Sequence, residues 1–244
     1  MILLLTGCIN PNGMTMTALS NQEERKRQYV EAIHFYLSNT SYPIVFSENS
    51  GTDISHLFKK EIKSGRLEYL SFSGNQNKEK GKGYGECEII QYALNNSKII
   101  HFVKDKRIAK ITGRLIIRNI NRIARVHSIL FPKNSVFCAI NSNLSFPDSR
   151  FIIAPECFYH TFLKSKEAIN DSQGYYFEHA LCDTIKREKQ FPYSPFFLMP
   201  QIEGISGSSG EIYQKEEMSF SFAIKYLKYT YLQRCSFNRQ YRKI

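Results

Sequence analysis

Glycines and a lysine stand directly before a helical pattern in the stretch Gly81-Lys82-Gly83-Tyr84-Gly85-Glu86. Glycines let backbone N–H groups approach a ligand closely, and the start of a helix is a favourable place for a phosphate. No Gly-Lys-Ser/Thr ending follows, so the stretch is not a Walker loop. It predicts a phosphate contact of another kind. The alternative is a surface loop with solvated lysines.

Two cations and a glycine interrupt an otherwise apolar run at Lys110-Ile111-Thr112-Gly113-Arg114. A charge buried in such a run without a partner costs several kcal/mol, so it needs an opposite charge nearby. An anionic substrate would be such a partner. An edge strand whose long side chains extend to solvent explains the same pattern.

Carboxylates and a histidine occur in two stretches that suit acid–base chemistry, Phe146-Pro147-Asp148-Ser149-Arg150 and Tyr175-Tyr176-Phe177-Glu178-His179. Glu178 falls at the border of an apolar helix face, where shielding raises the pKa of a carboxyl group and suits it to act as a general base. His179 could do the same work, and Asp148 could contact a ribose, a sugar or an acceptor. The alternatives are a solvated glutamate in a first helical turn and an ordinary Pro-Asp-Ser turn.

Short apolar runs alternate with helical patterns along the chain, and this alternation predicts an α/β fold with a mostly parallel central sheet flanked by helices. The helices are predicted at about 20–39, 86–95, 174–187 and 217–233. The predicted strands are Ile2–Leu5, Tyr42–Phe46, Leu67–Phe72, Ile99–Val103, Ile108–Ile117, Val136–Ile140 and Phe151–Ala154.

Three polar loops follow predicted strands, at Gly7–Gly13, Ser47–Asp53 and Ser73–Gly85. In open α/β sheets, ligands bind beyond the carboxyl ends of the strands, so these loops are expected to gather at one edge. A further loop at Gly204–Gly210, rich in glycine and serine, is either a lid over the site or a connector.

The composition indicates a globular protein with a strongly basic surface: 42% of the residues are hydrophobic, and the formal net charge is +11. Nucleic acid, anionic lipid and phosphorylated small molecules all fit this charge. The six cysteines are scattered without a C-x-x-C pair, so neither a disulfide framework nor a zinc site is expected. No Asp-x-Asp and no other spacing typical of a metal site occurs, so no metal ligands are predicted, and a divalent metal cofactor stays an open alternative.

The two ends of the chain raise the question of membrane attachment. Leu5-Thr6-Gly7-Cys8 resembles a lipoprotein cleavage box, but it lacks the positive start and long apolar run of a signal peptide, so we expect a strand there. Residues 1–213 are predicted to form one α/β catalytic domain, and residues 214–244 a helical tail. From Ser219 onward the tail has six Lys/Arg, interleaved with tyrosines, and no acidic residue. It fits an anionic membrane, single-stranded nucleic acid or a docked helix.

The order of these motifs resembles small bacterial glycosyltransferases that build O-antigen or capsule, over about Met1 to Tyr213. The motifs that carry the resemblance are the opening strand Ile2–Ile9 with its polar loop, Tyr42–Phe46 running into Glu48-Asn49-Ser50-Gly51, Gly83-Tyr84-Gly85-Glu86 before a helix, Lys110-Ile111-Thr112-Gly113-Arg114, and Tyr176-Phe177-Glu178.

The resemblance implies a nucleotide-sugar-binding fold of the GT-A type, with the donor across the carboxyl edge of the sheet. The acceptor would be a lipid-linked saccharide, and the enzyme would be cytoplasmic and peripheral on the inner face of the cytoplasmic membrane. Glu178, Asp148 or His179 would be the base that accepts the acceptor's proton. The donor and its phosphates would be held by Gly7, Cys8, Glu48, Asn49, Ser50, Lys82, Gly83, Gly85, Glu86, Lys110, Thr112, Gly113 and Arg114.

Most enzymes of that fold hold a divalent metal on the diphosphate with an Asp-x-Asp, which this sequence lacks. Lys82, Lys110 and Arg114 are therefore candidates to neutralise the leaving phosphate instead. Two alternatives remain: a basic nucleic-acid-binding protein, although no continuous motif of that kind is present, and another nucleotide-dependent transferase, although the dinucleotide-binding glycine fingerprint is missing.

Overall fold

A computed structural model of the chain describes residues 1–12, 19–74, 76–207, 209–214 and 219–242. Its helices are α1 (Gln22–Asn39), α2 (Lys59–Lys63), α3 (Lys82–Asn96), α4 (Lys98–Phe102), α5 (Ile120–Leu130), α6 (Glu156–Leu163), α7 (Phe177–Arg187) and α8 (Phe220–Tyr241). Its strands are β1 (Ile2–Gly7), β2 (Ile44–Glu48), β3 (Leu67–Ser71), β4 (Arg107–Thr112), β5 (Ile116–Ile117), β6 (Val136–Phe137), β7 (Phe151–Pro155), β8 (Tyr193–Ser194), β9 (Ile202–Ile205) and β10 (Ile212–Tyr213).

The larger of two sheets has seven strands in the order β3-β2-β1-β4-β7-β6-β8. Neighbouring strands are parallel except at β7, which runs antiparallel to both β4 and β6. The smaller sheet has the order β10-β9-β5. The predicted α/β class with a mostly parallel central sheet is confirmed.

Both faces of the central sheet are buried, because alternate side chains of each strand point to opposite sides. On β1, Ile2 and Leu4 lie in a buried cluster with residues of α3, α6 and α7. Leu3 and Leu5 lie in a second cluster with residues of α1 and α5. All four side chains are fully buried, which explains why β1 is a continuous apolar run.

The segment Ile99–Val103, predicted to be extended, is mostly helix α4. The hydroxyl of Ser97 accepts a hydrogen bond from the backbone N–H of Ile100 at 3.0 Å, and the carboxylate of Glu68 accepts one from that of Lys98 at 2.8 Å. These contacts satisfy the first N–H groups of a helix. Glu68 lies in strand β3, so the local sequence of α4 does not reveal this cap.

The predicted extended run Ile108–Ile117 is broken into β4 and β5 at Gly113. The N–H of Gly113 donates to the carbonyl oxygen of Thr6 at 2.8 Å, and a Cβ at this position would lie 2.7 Å from that oxygen. Only glycine fits this approach.

Helices α5 and α6 lie where the pattern predicts no helix. Helix α6 follows β7 without a loop, because Pro155 ends the strand and serves as the helix N-cap.

Helix α8 is packed along only part of its length. Phe237 is fully buried, with its ring 4.5 Å from that of Tyr193, and Thr230 and Gln233 are also buried. The preceding half exposes large side chains, among them Phe220 with 82% of its surface accessible. No helix in the described part of the chain is long and apolar enough to span a membrane.

His127 on α5 is buried among aromatic rings, with centroids 5.3 Å from Phe131, 4.2 Å from Phe137 and 5.5 Å from Phe196. Neither ring nitrogen has a hydrogen-bond partner among the residues that the structure describes. Burial lowers the pKa of His127 to about 4. The folded protein therefore keeps this side chain neutral at a pH where the unfolded chain protonates it.

We expect the free energy of unfolding to fall as the pH drops from about 6.5 towards 4, because the unfolded state then binds an extra proton. The His127 contribution to this loss is at most about 3 kcal/mol. His127→Phe should flatten the pH dependence, measured by denaturant unfolding, whereas His56→Phe at an exposed position should not. An unchanged acid loss in His127→Phe would contradict the assignment.

Candidate functional site

A cleft of about 770 Å³ opens at the carboxyl edge of the central sheet. Its walls are the loops after β1 and β4, the starts of α3 and α7, the segment before β7 and the turn between β9 and β10. The predicted residues that line it are Gly7, Cys8, Asn49, Lys82, Gly83, Gly85, Glu86, Lys110, Thr112, Arg114, Asp148 and Glu178. Glu48, Ser50, Gly113 and His179 do not line it.

Glu48 organises the loops beneath the cleft instead of facing it. Its carboxylate is fully buried and accepts hydrogen bonds from the backbone N–H groups of Ile9 at 3.1 Å, Ser50 at 2.7 Å and Thr52 at 3.1 Å. The hydroxyl of Ser71 donates to it at 3.0 Å. Glu48 therefore ties the ends of β1, β2 and β3 together, which fixes the position of the neighbouring Asn49.

The stretch expected to contact phosphate is the first turn of α3, and its glycines make room for Asp171. Gly81 has a φ of +89°, and side chains at Gly81 and Gly83 would clash with the Asp171 carboxylate. That carboxylate accepts a hydrogen bond from the N–H of Gly83 at 3.0 Å. An anionic side chain is thus the partner of the Gly83 N–H at the helix start, and contact between these glycines and a phosphate stays a prediction.

Lys110 is held in an internal ion pair, although phosphate binding was the role expected for it. Its side chain is 1% exposed, and its ammonium lies 2.5 Å from the Glu86 carboxylate. It also donates to the carbonyl of Ser149 at 2.8 Å. The same Glu86 oxygen accepts a hydrogen bond from the Thr6 hydroxyl at 2.7 Å. The charges of Lys110 and Glu86 therefore compensate each other at the base of the cleft.

Glu178 and Asp148 lie on the opposite wall in different environments. One oxygen of Glu178 accepts a hydrogen bond from the Ser149 hydroxyl at 2.5 Å. Asp148 is bound in a two-pronged ion pair by the Arg150 guanidinium, with contacts of 2.9 and 2.6 Å. Arg150 also lies over the Tyr213 ring at 4.6 Å. Asp148 is thus neutralised locally, whereas Glu178 has no cation partner in the described ranges.

His179 caps its own helix. Its Nδ1 accepts a hydrogen bond from the backbone N–H of Tyr176 at 3.1 Å. The ring also packs against Phe146, with centroids 5.3 Å apart. These contacts hold the His179 ring beside Tyr176 and Phe146, and it does not line the cleft.

Two buried arginines converge on the other end of the cleft. Arg25 on α1 donates to the carbonyl of Cys8 at 2.8 and 2.5 Å, and Arg114 donates to the side chain of Gln28 at 3.2 Å and the carbonyl of Ile205 at 2.8 Å. Each arginine is 6% exposed. Within the described residues neither has a carboxylate partner, and the Nε of Arg114 has no hydrogen-bond partner at all.

Arg25 lines the cleft although it is not among the residues predicted from the sequence. It lies four residues before Tyr29, so it continues the apolar stripe of α1 towards the carboxyl edge of the sheet. A cation at the end of a buried stripe is the signal that could have identified it. The turn at Ser206 and Gly207 also lines the cleft, next to Arg114.

Lys82 completes a group of three cations. It is half-buried, and desolvation together with the charges of Arg25 and Arg114 lowers its pKa to about 8, while Asp171 and Cys8 act in the opposite direction. Like charges crowded into a partly dry cleft are unfavourable, and the Asp171 carboxylate offsets them only in part. We call Arg25, Lys82 and Arg114 the cation cluster. The cleft thus has a cationic end and, on another wall, the carboxylate of Glu178.

No protein-family model matches this sequence, and no curated protein matches it. Among solved structures the chain is similar to the glycosyltransferase GlyE of Streptococcus pneumoniae TIGR4, with a TM-score of 0.49 and 10% identity over 80% of this chain and 44% of that one. It therefore spans less than half of the length of GlyE.

Two further structures are similar at lower scores. One is a cytidylyltransferase from Leptospira borgpetersenii serovar Hardjo-bovis, with a TM-score of 0.44 and 9% identity over 98% of this chain and 94% of that one. The other is HddC from Yersinia pseudotuberculosis, with a TM-score of 0.33 and 12% identity over 65% of this chain and 77% of that one. These likenesses concern the path of the chain, and we transfer no site residue from them.

Proposed function

We propose that this protein is a glycosyltransferase that moves a sugar from a nucleotide-sugar donor to a lipid-linked saccharide acceptor. The observation that carries the proposal is the cation cluster, because Arg25 and Arg114 are buried without a carboxylate partner in the described ranges. A leaving phosphate would supply the missing negative charge. The resemblance to O-antigen and capsule glycosyltransferases supports the same assignment.

In the proposed reaction, the bond between the anomeric carbon and the donor's phosphate oxygen breaks, and the electron pair leaves with the phosphate. The acceptor's hydroxyl oxygen bonds to the anomeric carbon from the opposite face, and its proton passes to a base. The cation cluster stabilises the charge that develops on the phosphate. Glu178 accepts the proton.

Glu178 is a better base than the other two candidates. Asp148 is neutralised by Arg150 at 2.6 Å, and the Nδ1 of His179 is engaged by a backbone N–H. Among the described residues, Glu178 accepts a single hydrogen bond, from Ser149, which leaves its second oxygen for the acceptor hydroxyl.

We expect one or more members of a panel of UDP, GDP, dTDP, CMP and their sugars to raise the melting temperature of the protein. Glu178→Gln should keep this binding within about threefold and lower sugar transfer, or slow donor hydrolysis, by about 10²–10⁴-fold, because the general base is lost. Release of the free nucleotide from its sugar measures the rate.

Glu23→Gln, at an exposed position in α1, is the matched control and should retain full activity. No thermal shift with any nucleotide or nucleotide sugar would contradict the proposed function. Full activity of Glu178→Gln would leave the donor class intact and remove Glu178 as the base. Release of pyrophosphate from a nucleoside triphosphate would identify nucleotidyl transfer instead.

We further propose that the exposed half of α8 binds an anionic membrane surface. Gln233 donates to the carbonyl of Ile140 at 2.8 Å, at the rim of the cleft, and Arg242 donates to that of Ile185 at 2.6 Å. The residues before Thr230 therefore extend past the same edge of the sheet on which the cleft opens. A lipid-linked acceptor would then reach the cleft from the surface that α8 contacts.

The chemistry of α8 favours lipid as the occupant of this face. Its exposed apolar side chains include Phe222, Ile224, Leu227, Tyr231 and Leu232. The segment from Ser219 to the end carries six Lys/Arg and no acidic residue, so a second copy would bring like charges together. Anionic headgroups would complement both the cations and the interfacial tyrosines.

We expect the protein to cosediment with vesicles that contain phosphatidylglycerol and to bind poorly to phosphatidylcholine alone. Each cation near the surface contributes about 1 kcal/mol, so the double variant Lys225→Gln/Lys228→Gln should weaken vesicle binding by roughly tenfold or more. Lys59→Gln/Lys60→Gln, at exposed positions in α2, should not. Equal binding to both lipid compositions would contradict this proposal.

A further inference from the structure

The carboxylates of the cleft are poorly suited to hold a divalent metal, although the resembling enzymes use one on the donor's diphosphate. No group of three or more His, Cys, Asp or Glu able to bind a metal occurs among the described residues. Glu86 is engaged by Lys110 at 2.5 Å, and Asp148 by Arg150 at 2.6 Å. Asp171 accepts the N–H of Gly83 at the start of α3.

A metal at Glu86 or Asp148 would have to displace the cation that each carboxylate already binds, whereas one oxygen of Asp171 has no hydrogen-bond partner among the described residues. Mg²⁺ and related hard cations need several oxygen ligands around one centre. Freeing Glu86 for that purpose would leave Lys110 buried, at 1% exposure, without its counter-charge. An unpaired buried charge is strongly unfavourable, so these carboxylates do not fit the metal.

The cation cluster offers a different counter-charge for the same phosphates. Arg114 donates a hydrogen bond to the side chain of Gln28, which lies less than one turn after Arg25 on α1. The charges of both arginines act on Lys82. A nucleoside diphosphate has a charge of about −3 near neutral pH, nearly −2 of it on the terminal phosphate. The three cations supply positive charge for these phosphates, which the neighbouring Asp171 carboxylate offsets in part.

We infer that Arg25, Lys82 and Arg114 bind the diphosphate of the donor directly and replace the divalent metal. This inference rests on the proposed function and adds the way in which the phosphate is recognised. It also removes Lys110 from the expected phosphate ligands and adds Arg25. Lys110 is held in the internal ion pair with Glu86, whereas Arg25 lines the cleft.

The test measures the affinity of the full chain for the nucleoside diphosphate that gives the largest thermal shift, by calorimetry in EDTA and again with Mg²⁺ or Mn²⁺. We expect the two dissociation constants to agree within about threefold. Arg25→Gln and Arg114→Gln should each weaken binding tenfold or more, because each removes a charged hydrogen bond to phosphate. Arg122→Gln, at an exposed position in α5, is the matched control and should not.

Arg25 and Arg114 also donate to main-chain carbonyls, so their glutamine variants are checked by denaturant unfolding. Arg25→Lys and Arg114→Lys keep the charge and should recover part of the affinity. Lys82→Gln leaves the main-chain hydrogen bonds of Arg25 and Arg114 in place. It should weaken nucleotide binding as well. Recovery with lysine distinguishes a phosphate ligand from a purely structural residue.

The pH dependence gives a second readout. Lys82 faces Arg25, Arg114, Asp171 and Cys8, and its pKa is about 8, so it loses its positive charge as the pH rises through that value. The Cys8→Ser substitution removes the thiol that also acts on Lys82. In that background, nucleotide affinity should fall between pH 7 and 9. Adding Lys82→Arg should abolish the fall, because arginine stays protonated.

The outcomes separate this inference from the proposed function. Affinity that disappears in EDTA and returns with Mn²⁺ would overturn the metal-free cradle while leaving nucleotide-sugar transfer in place. Unchanged affinity in all three cluster variants would overturn it too. No binding of any nucleotide, with or without metal, would overturn both.

Discussion

The buried ion pair between Lys110 and Glu86 is the interaction on which the rest of the cleft depends. Lys110 lies on the central strand β4 and Glu86 on α3, so the pair fixes the helix at the carboxyl edge of the sheet. The same ammonium holds the carbonyl of Ser149, whose hydroxyl contacts Glu178. Removing either charge would leave the other buried. The Lys110–Glu86 pair thus fixes β4, the start of α3 and the wall that carries Glu178 relative to one another.

The central sheet could be predicted because burial on both faces makes its strands continuous apolar runs, as at Ile2–Leu5. Helix α4 could not, because its first N–H groups are satisfied by Glu68, about thirty residues earlier in the chain. The break at Gly113 likewise depends on the carbonyl of Thr6. Local patterns predict elements, but they do not reveal caps and close approaches that come from elsewhere in the chain.

The same distinction applies to the site. Loops after parallel strands identify several of the residues that line the cleft, because topology alone brings those loops together. The environment of each residue depends on distant partners. Asp171 lies about ninety residues after the glycines that make room for it, and Glu86 neutralises a lysine that the sequence leaves uncompensated. Residue types predicted segments that line the cleft, whereas the charge balance required the structure.

The reversed strand β7 has a consequence for how the cleft can change. Because β6 ends and β7 begins at the same edge, residues 138–150 leave the sheet and return to it beside the cleft. Insertions or deletions in this excursion need not shift the register of any strand. The wall near Glu178 can therefore change in length without a shift of strand register, whereas the cationic end is built on β1, β4 and α1. The reversal separates a part of the cleft that can change in length from a part that is tied to strand register.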